Sequence, residues 1–240
     1  MRRLLLIVSL LSFCGFAYAE EAVQAEEPKS WKSDLELGFV QTGGNTQTQT
    51  LNAKGKVVWD GDALRSTVEA TALSSKDRKV TTSERYTASI QEDWKMSKVD
   101  YLFGRVGFST DRFDGYKRRI RETVGYGRDL IKNDELHWKG EIGAGMRQTT
   151  LTTNEKQNDA IGRASTAVMW KINDAATFTQ DLSTEGGKQG FVSNSVTAVQ
   201  QKLNGRLSTK ISFSAQHTSK VPVATKKLNT ETAISLVWSY

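Results

Sequence analysis

Residues 233–240 read Ala-Ile-Ser-Leu-Val-Trp-Ser-Tyr and decide the fold class. Apolar or aromatic residues alternate there with mostly small or polar ones, and successive side chains of a β-strand point to opposite faces. Ile234, Leu236, Trp238 and Tyr240 therefore share one face of a predicted strand. A chain that ends inside such a strand, on an aromatic residue, favours a β-sheet protein with one strongly apolar surface.

The N-terminus carries the features of a secretory signal peptide. A basic pair precedes an apolar segment at 4–16, which is too short to span a bilayer, and 17–19 read Ala-Tyr-Ala, an A-x-A cleavage motif. The sequence predicts a signal peptide over 1–19 and a polar periplasmic tail over 20–30. A retained membrane anchor and a lipoprotein modified at Cys14 are the alternatives.

Alternating segments recur along the rest of the chain, and each is long enough for a tilted membrane crossing of about 9–11 residues. No helical period of 3.6 residues competes over a comparable length. The pattern predicts an all-β, closed, antiparallel up-and-down transmembrane barrel over 31–240, with about 12 strands. The predicted strands are 31–42, 46–59, 63–75, 84–96, 101–110, 119–130, 135–148, 160–172, 176–184, 191–203, 206–217 and 229–240.

The predicted connections alternate in length, which is the usual asymmetry of an outer-membrane barrel. Short turns at the periplasmic end are predicted at 60–62, 97–100, 132–134, 173–175 and 204–205. Longer, charged loops on the outer side are predicted at 76–83, 111–118, 149–159, 185–190 and 218–228. An even strand count places both termini on the periplasmic side, and the last strand is expected to pair with the first near Leu35, Leu37 and Phe39.

Six tryptophans fall near the short-turn ends of the predicted strands, on the parity that carries the apolar residues. They are Trp31, Trp59, Trp94, Trp138, Trp170 and Trp238. Indole rings at one level on the outside predict an aromatic girdle at a membrane interface. The core of a soluble sandwich, the alternative, would hold tryptophans at mid-strand as often as at strand ends.

The first predicted strand and the loop after it carry a family resemblance. Residues 37–46 read Leu-Gly-Phe-Val-Gln-Thr-Gly-Gly-Asn-Thr, and glycine pairs recur at 125–127 and 143–145. This pattern resembles an uncharacterised family of salt-induced outer membrane proteins, a domain of unknown function that forms an outer-membrane β-barrel. The resemblance implies an outer-membrane location and, through the family's name, a link to salt stress. On physical grounds, 43–45 predict a tight turn that needs positive φ angles.

The opposite parity of each strand should face the lumen, and it is polar with a predicted basic excess of about six. We expect the pore-lining cations to be Lys54, Arg65, Arg85, Arg105, Lys139, Arg147, Arg163 and Lys210. The other predicted inward cations are Lys32, Lys56, Arg121, Lys171 and Arg206, and the acids are Asp34, Glu36, Glu69, Asp93, Glu141, Asp181 and Glu231. An open pore of this charge favours small anionic solutes. The alternative is a closed structural or stress-response barrel without conductance, in which these charges pair and fill the lumen.

The formal net charge of +6 is not clustered as in proteins that bind nucleic acid. Phosphate loops, dinucleotide fingerprints and metal-protease helices are absent from the sequence, so we expect no cofactor and no metal. The expected partners are outer-membrane lipid and the barrel-assembly machinery, which would read the C-terminal strand through Tyr240. The expected location is the bacterial outer membrane after signal-peptide cleavage.

Two histidines test whether the chain could be an enzyme. His137 is expected inside the lumen, bonded to Glu141 or another lumen group. His217 and Ser219 share the outward face near the rim, and Asn229 could orient the histidine. This pair resembles the arrangement in outer-membrane phospholipase A, so a rim lipid hydrolase is an alternative function. Because the wider phospholipase motif is missing, we expect no catalytic residue.

Overall fold

The computed structural model describes most of the chain beyond the predicted periplasmic tail. The predicted signal peptide at 1–19, the tail up to residue 29 and the Gly-Gly-Asn turn at 43–45 lie outside the described residues. No helix in the described part of the chain is long and apolar enough to cross a membrane. The described residues are 30–41, 48–78, 80–111, 113, 115–221 and 227–240.

Twelve antiparallel strands follow one another around a closed barrel, each hydrogen-bonded to its neighbours in the sequence. This confirms the predicted fold class, strand number and up-and-down order. The strands are β1 (Ser30–Gln41), β2 (Thr48–Asp60), β3 (Leu64–Asp77), β4 (Val80–Lys95), β5 (Asp100–Asp111), β6 (Tyr116–Lys132), β7 (Leu136–Leu151), β8 (Lys156–Lys171), β9 (Ala176–Gly187), β10 (Gly190–Lys202), β11 (Leu207–Thr218) and β12 (Leu228–Ser239).

The barrel closes where β12 pairs with β1. Leu35 lies opposite Trp238 and Leu37 opposite Leu236. The backbone N–H groups of Ser33 and Tyr240 each donate to the other residue's carbonyl at 2.8 Å. An unpaired sheet edge would leave polar backbone groups in hydrocarbon at several kcal/mol each, so closure is required of a barrel that spans a membrane.

The predicted outer loops are partly wrong, because several strands continue through them. Strand β4 begins at Val80 rather than at residue 84, and β8 begins at Lys156 rather than at residue 160. Tight turns make this extension feasible: Arg78 and Asn154 adopt positive φ angles of 46° and 71° in the β3–β4 and β7–β8 turns. The end of the barrel opposite the short turns, the long-hairpin end, therefore carries β-ladders where the sequence predicted irregular loops.

The two faces of the wall differ as the alternation requires. Along β5, Tyr101 and Phe103 are buried inside, whereas Leu102, Val106 and Phe108 are exposed on the outside. Strand β10 pairs continuously with both neighbours, without a register shift. The interior of the barrel is therefore the core of the molecule, and its outside is a lipid-facing apolar surface.

Candidate functional site: the barrel lumen

All eight predicted pore-lining cations lie on the inner face of the wall, as the strand register shows. Lys54 is opposite Glu36, Arg65 opposite Asp93 and Arg105 opposite Gln91. Arg147 lies opposite Asp159, and Lys210 opposite Ser235. The remaining three cations also face strand partners: Arg85 lies opposite Asp111, Lys139 opposite Ala167 and Arg163 opposite Gly143. Odd–even alternation brought these side chains into one interior although they come from seven different strands.

Most of these cations are paired with carboxylates along the wall. The Arg65 guanidinium lies 2.7 Å from Asp93, and Arg85 lies 2.7 Å from Asp111. Lys210 lies 2.7 Å from Glu36, a contact that spans the closure between β11 and β1. A buried carboxylate that is charged needs such a partner, because desolvation without one costs several kcal/mol. These cations therefore hold the wall together and are less available to a solute than the sequence suggested.

A carboxylate network crosses the wall of β4–β8 around Glu141. Its Oε1 accepts hydrogen bonds from the amide of Gln91 at 2.9 Å and from the Tyr101 hydroxyl at 3.0 Å. Its Oε2 accepts from the Ser165 hydroxyl at 3.0 Å, and Lys139 Nζ lies 3.3 Å from Oε1. One buried acid thus ties four strands to one another.

Two aromatic rings fill the inside of this wall, which the sequence did not predict. Tyr101 and Phe103 are 2% and 1% exposed; Tyr101 packs over Gly127 of β6, and Phe103 packs over Gly125 of β6 and Gly143 of β7. A Cβ on Gly127 would lie 2.2 Å from the Tyr101 ring, and one on Gly125 would lie 2.8 Å from the Phe103 ring. These alternating glycines allow close packing, because a larger residue has no room beneath the rings.

An arginine cluster lies on the inner wall toward the long-hairpin end. Arg121 Nε donates to Glu185 Oε1 at 2.5 Å across three strands, and Arg147 lies 2.9 Å from Asp159. The Arg119 guanidinium stacks 4.0 Å over the Tyr116 ring. Asp159 also accepts the backbone N–H groups of the β9–β10 turn at 188 and 189. The cluster therefore fixes the inner wall and the turn above it together.

The predicted basic excess of about six is wrong in size. Asp111, Asp159 and Glu185 belong to the inner wall, but they lay in segments predicted as loops, and the strand extensions brought them inside. Arg206 lies in the β10–β11 turn, with its guanidinium 4.6 Å over the Tyr240 ring. Arg119 joins the inner wall as Arg206 leaves it, so the number of cations is unchanged while acids are added, and the basic excess is smaller than predicted.

Some lumen cations have no carboxylate within ion-pair distance among the described residues. Lys54 and Arg119 are half-buried, and Arg105 donates only to Gln91 and Ser89, at 3.0 Å each. Lys171 is exposed near the short-turn end. These four lumen cations are therefore not neutralised by an ion pair in the described part of the chain.

The described side-chain contacts inside the barrel stay local to the wall. The longest join strands three positions apart, such as Gln91 on β4 to Glu141 on β7 and Arg121 on β6 to Glu185 on β9. A contact across the diameter would have to join strands six positions apart in this barrel. An eight-stranded barrel is just filled by its own side chains, and the interior widens with strand number.

Comparison with known proteins places the chain in a family. A family model described as a protein of unknown function, DUF481, matches residues 35–240. The chain belongs to the DUF481 family. It is also 28% identical over 225 residues to the uncharacterized protein YdiY of Escherichia coli K12, covering 93% of this chain and 88% of YdiY. The family resemblance carried by the first strand is thereby confirmed.

Solved structures share the architecture of this DUF481 barrel. The NanC porin superimposes with a TM-score of 0.53 and 12% identity, covering 86% of this chain and 98% of its own. An outer membrane channel from Pseudomonas putida F1 does so with a TM-score of 0.50 and 7% identity, covering 88% and 94%. At such identities the likeness shows the fold alone, a porin-like barrel of the kind that points to a bacterial outer membrane.

The six tryptophans of the DUF481 barrel lie on its outer face at the short-turn end. Trp31 pairs with Trp59 across β1 and β2, and the Trp138 indole N–H donates to Thr166 at 2.7 Å. Five of the six rings are at least 40% exposed. Exposed indoles at one end of a barrel are placed as a membrane-interface girdle needs them.

Both histidines of the DUF481 barrel contact neighbouring side chains of the barrel wall. His137 contacts Asp129 at 2.9 Å rather than Glu141. The His217 ring packs against Phe191 with centroids 5.5 Å apart, while the Ser219 hydroxyl accepts the Phe191 N–H at 2.8 Å. His217 pairs with Leu228, which puts Asn229 on the opposite face of the sheet. The orienting role considered for Asn229 is therefore wrong, since its side chain points into the barrel.

Proposed function

We propose that this DUF481 barrel is a passive pore of the bacterial outer membrane for small solutes, with a preference for anions. One observation carries the proposal: the described lumen contacts run along the wall and join strands at most three positions apart in a barrel of twelve. A wall that satisfies its own charges does not need to fill its centre. The porin-like fold supports this reading.

The preference for anions rests on which lumen charges lack a partner. Lys54, Arg105 and Arg119 have no carboxylate at ion-pair distance in the described part of the chain, and exposed Lys171 adds a cation at one end. The predicted inward acids without a cation at ion-pair distance among the described residues are Asp34, Asp181 and Glu231, and they oppose these cations in part. A water-filled passage lined by unpaired cations lowers the entry barrier for negative solutes.

Planar-bilayer recording tests both parts of this proposal. We expect stepwise conductance and, in a KCl gradient, a reversal potential that shows chloride preference. The double variant Lys54→Glu/Arg105→Glu should shift the preference toward potassium, whereas Lys98→Glu, an exposed turn residue outside the lumen, should leave it unchanged. Absence of conductance in folded protein, or a firm potassium preference in the parent, overturns the proposal.

A closed structural barrel is the second candidate, and the packed side of the lumen favours it. Tyr101, Phe103 and the Glu141 network occupy the inside of β4–β8 with almost no exposed surface. If this packing closes the passage, liposomes containing the barrel will stay impermeable to a small sugar. Swelling of such liposomes in an isosmotic sugar solution would exclude the closed form.

Three further expectations remain predictions. Recognition of Tyr240 by the barrel-assembly machinery is tested by the folding rate of Tyr240→Ala in cells. Cleavage after Ala19 is tested by the mass of the purified protein. The link to salt stress is tested by the abundance of the protein at low and high sodium chloride.

A further inference from the structure

A groove of about 500 Å³ runs along the outside of the barrel across β8–β12. Small outward residues create it: Ala164 lies opposite Thr184, Thr184 opposite Ser193, and Ser195 opposite Ala215. Leu182 and Leu228 supply larger apolar side chains to its lining. The groove therefore opens toward the bilayer rather than toward the lumen.

The hydroxyl groups that line the groove bond to groups within the wall. Thr184 and Ser193 are hydrogen-bonded at 2.9 Å, and Gln180 Nε2 donates to Ser195 Oγ at 3.2 Å. The Thr197 hydroxyl donates to Gln180 Oε1 at 2.6 Å. The lining also includes His217, but the exposed surface of the groove is mainly apolar, so the groove suits a hydrocarbon occupant.

Lysines gather at the long-hairpin end of the groove. One backbone and one side-chain hydrogen bond place them together: Thr218 N–H donates to the Lys227 carbonyl at 2.8 Å, and Lys220 Nζ donates to the Lys188 carbonyl at 2.9 Å. Lys188, Lys220 and Lys227 are all exposed. The described segments 188–191, 218–221 and 227–230 contain these three lysines and no carboxylate, and the Asp159 carboxylate that accepts the Lys188 N–H is paired with Arg147.

We propose that this groove binds one acyl chain of a phosphorylated lipid of the outer leaflet, and that Lys188, Lys220 and Lys227 bind its phosphate groups. With both termini periplasmic, the lysine end lies at the outer surface, where lipid phosphates meet the acyl region. Charge complementarity then selects an anionic headgroup, and the apolar lining selects the chain below it.

A lipid fits the groove better than a second copy of the chain. A two-fold dimer presents the same surface from both subunits, so two concave grooves would face each other and leave a void. The lysine triad would also meet its own copy, and like charges at close range repel. An acyl chain is flexible enough to follow a shallow groove and is abundant where the groove opens.

Native mass spectrometry of the detergent-purified barrel tests the proposal with three probes: a bisphosphorylated glycolipid of the lipid A type, diacylglycerol with the same chains, and inorganic phosphate. We expect one glycolipid per barrel. Ala164→Phe/Ser195→Phe, which fills the groove, should weaken its binding at least tenfold. The matched outward variant Ala70→Phe/Ala88→Phe on β3 and β4 should not, and heat-modifiable gel mobility confirms that each variant is folded.

A second set of variants tests the role of the three lysines. Lys188→Ala/Lys220→Ala/Lys227→Ala should weaken glycolipid binding at least tenfold and leave diacylglycerol binding unchanged, whereas the rim variant Lys76→Ala/Lys117→Ala should change neither. Equal binding of glycolipid by the groove-filling and parent proteins overturns the proposal. So does tight binding of inorganic phosphate alone, or a dimer in the parent that the groove-filling variant abolishes.

Discussion

Each charged side chain in the lumen has one of two roles, and its surroundings decide which. Asp93 is 1% exposed and accepts hydrogen bonds from Arg65 at 2.8 Å and from Gln91 at 2.9 Å. Removing one partner of such a buried pair is strongly destabilising, because the remaining charge stays desolvated. Lys54 is half-buried and has no ion pair among the described residues. The first kind of charge holds the wall, and the second kind is available to solutes.

A glycine of β7 shows how closely β6 and β7 approach each other. A Cβ on Gly145 would lie 1.9 Å from the Glu122 carbonyl oxygen, which is backbone and cannot rotate away. We expect Gly145→Ala to force the strands apart and lower the free energy of unfolding by about 1–3 kcal/mol, the usual cost of overpacking. Urea unfolding in detergent micelles, followed by tryptophan fluorescence, measures this loss.

Gly55→Ala is the matched control for that substitution. Gly55 is also a strand glycine, but no atom lies within 4 Å of where its Cβ would be. This variant should unfold at the urea concentration of the parent or slightly above it. Equal stability of the Gly145 and Gly55 variants would show that the β6–β7 spacing adapts at no cost.

At the scale of the strands, the sequence predicted the wall better than its contents. Twelve strands and their outward faces follow from alternation, because a period of two is readable in one chain. The segment 101–103 is apolar on both parities, so alternation could not place Tyr101 and Phe103 inside. Their position depends on room above Gly125 and Gly127 of the next strand, and that depends on register, which one sequence does not specify.

The sequence also predicted the ends of some strands wrongly. Polar residues at 149–159 have the composition of a loop, yet β7 and β8 extend into them and meet in a turn at Asn154. Composition does not distinguish a solvent-exposed hairpin from a loop, because neither buries an apolar face. Asp159 was missed for this reason, although it ends up buried beside Arg147.

The girdle of tryptophans at the short-turn end predicts the depth of these indoles in the bilayer. In bilayers that carry a quencher at a defined acyl position, we expect shallow quenchers to reduce tryptophan fluorescence more strongly than quenchers at the bilayer centre. Phe213→Trp adds an indole in the outward mid-section of β11 and should raise quenching by the central probe. Stronger quenching of the parent by the central probe would show that the tryptophans do not lie at the membrane interface.

At the scale of the whole molecule, closure and local pairing act together. The β1–β12 ladder satisfies the backbone, and wall-following ion pairs satisfy most lumen charges without a bridge across the diameter. The lumen is nevertheless uneven: β4–β9 carry most of the buried interior, while Lys54, Thr71 and Glu69 on β2 and β3 are only half-buried. A passage through this barrel would therefore follow the β2–β3 side.

Cysteine accessibility tests where that passage runs. Thr71 points inward opposite Lys54, and its chain neighbour Ala70 points outward. The chain's single cysteine, Cys14, lies in the predicted signal peptide. In reconstituted protein we expect Thr71→Cys to react with charged thiosulfonates, faster with the negative reagent because Lys54 attracts it, and modification should change the conductance. Ala70→Cys, facing lipid, should stay unreactive. A Thr71→Cys thiol that neither reagent reaches would mean that the β2–β3 side is sealed, and equal reactivity of both cysteines would mean that the outer face is not in lipid.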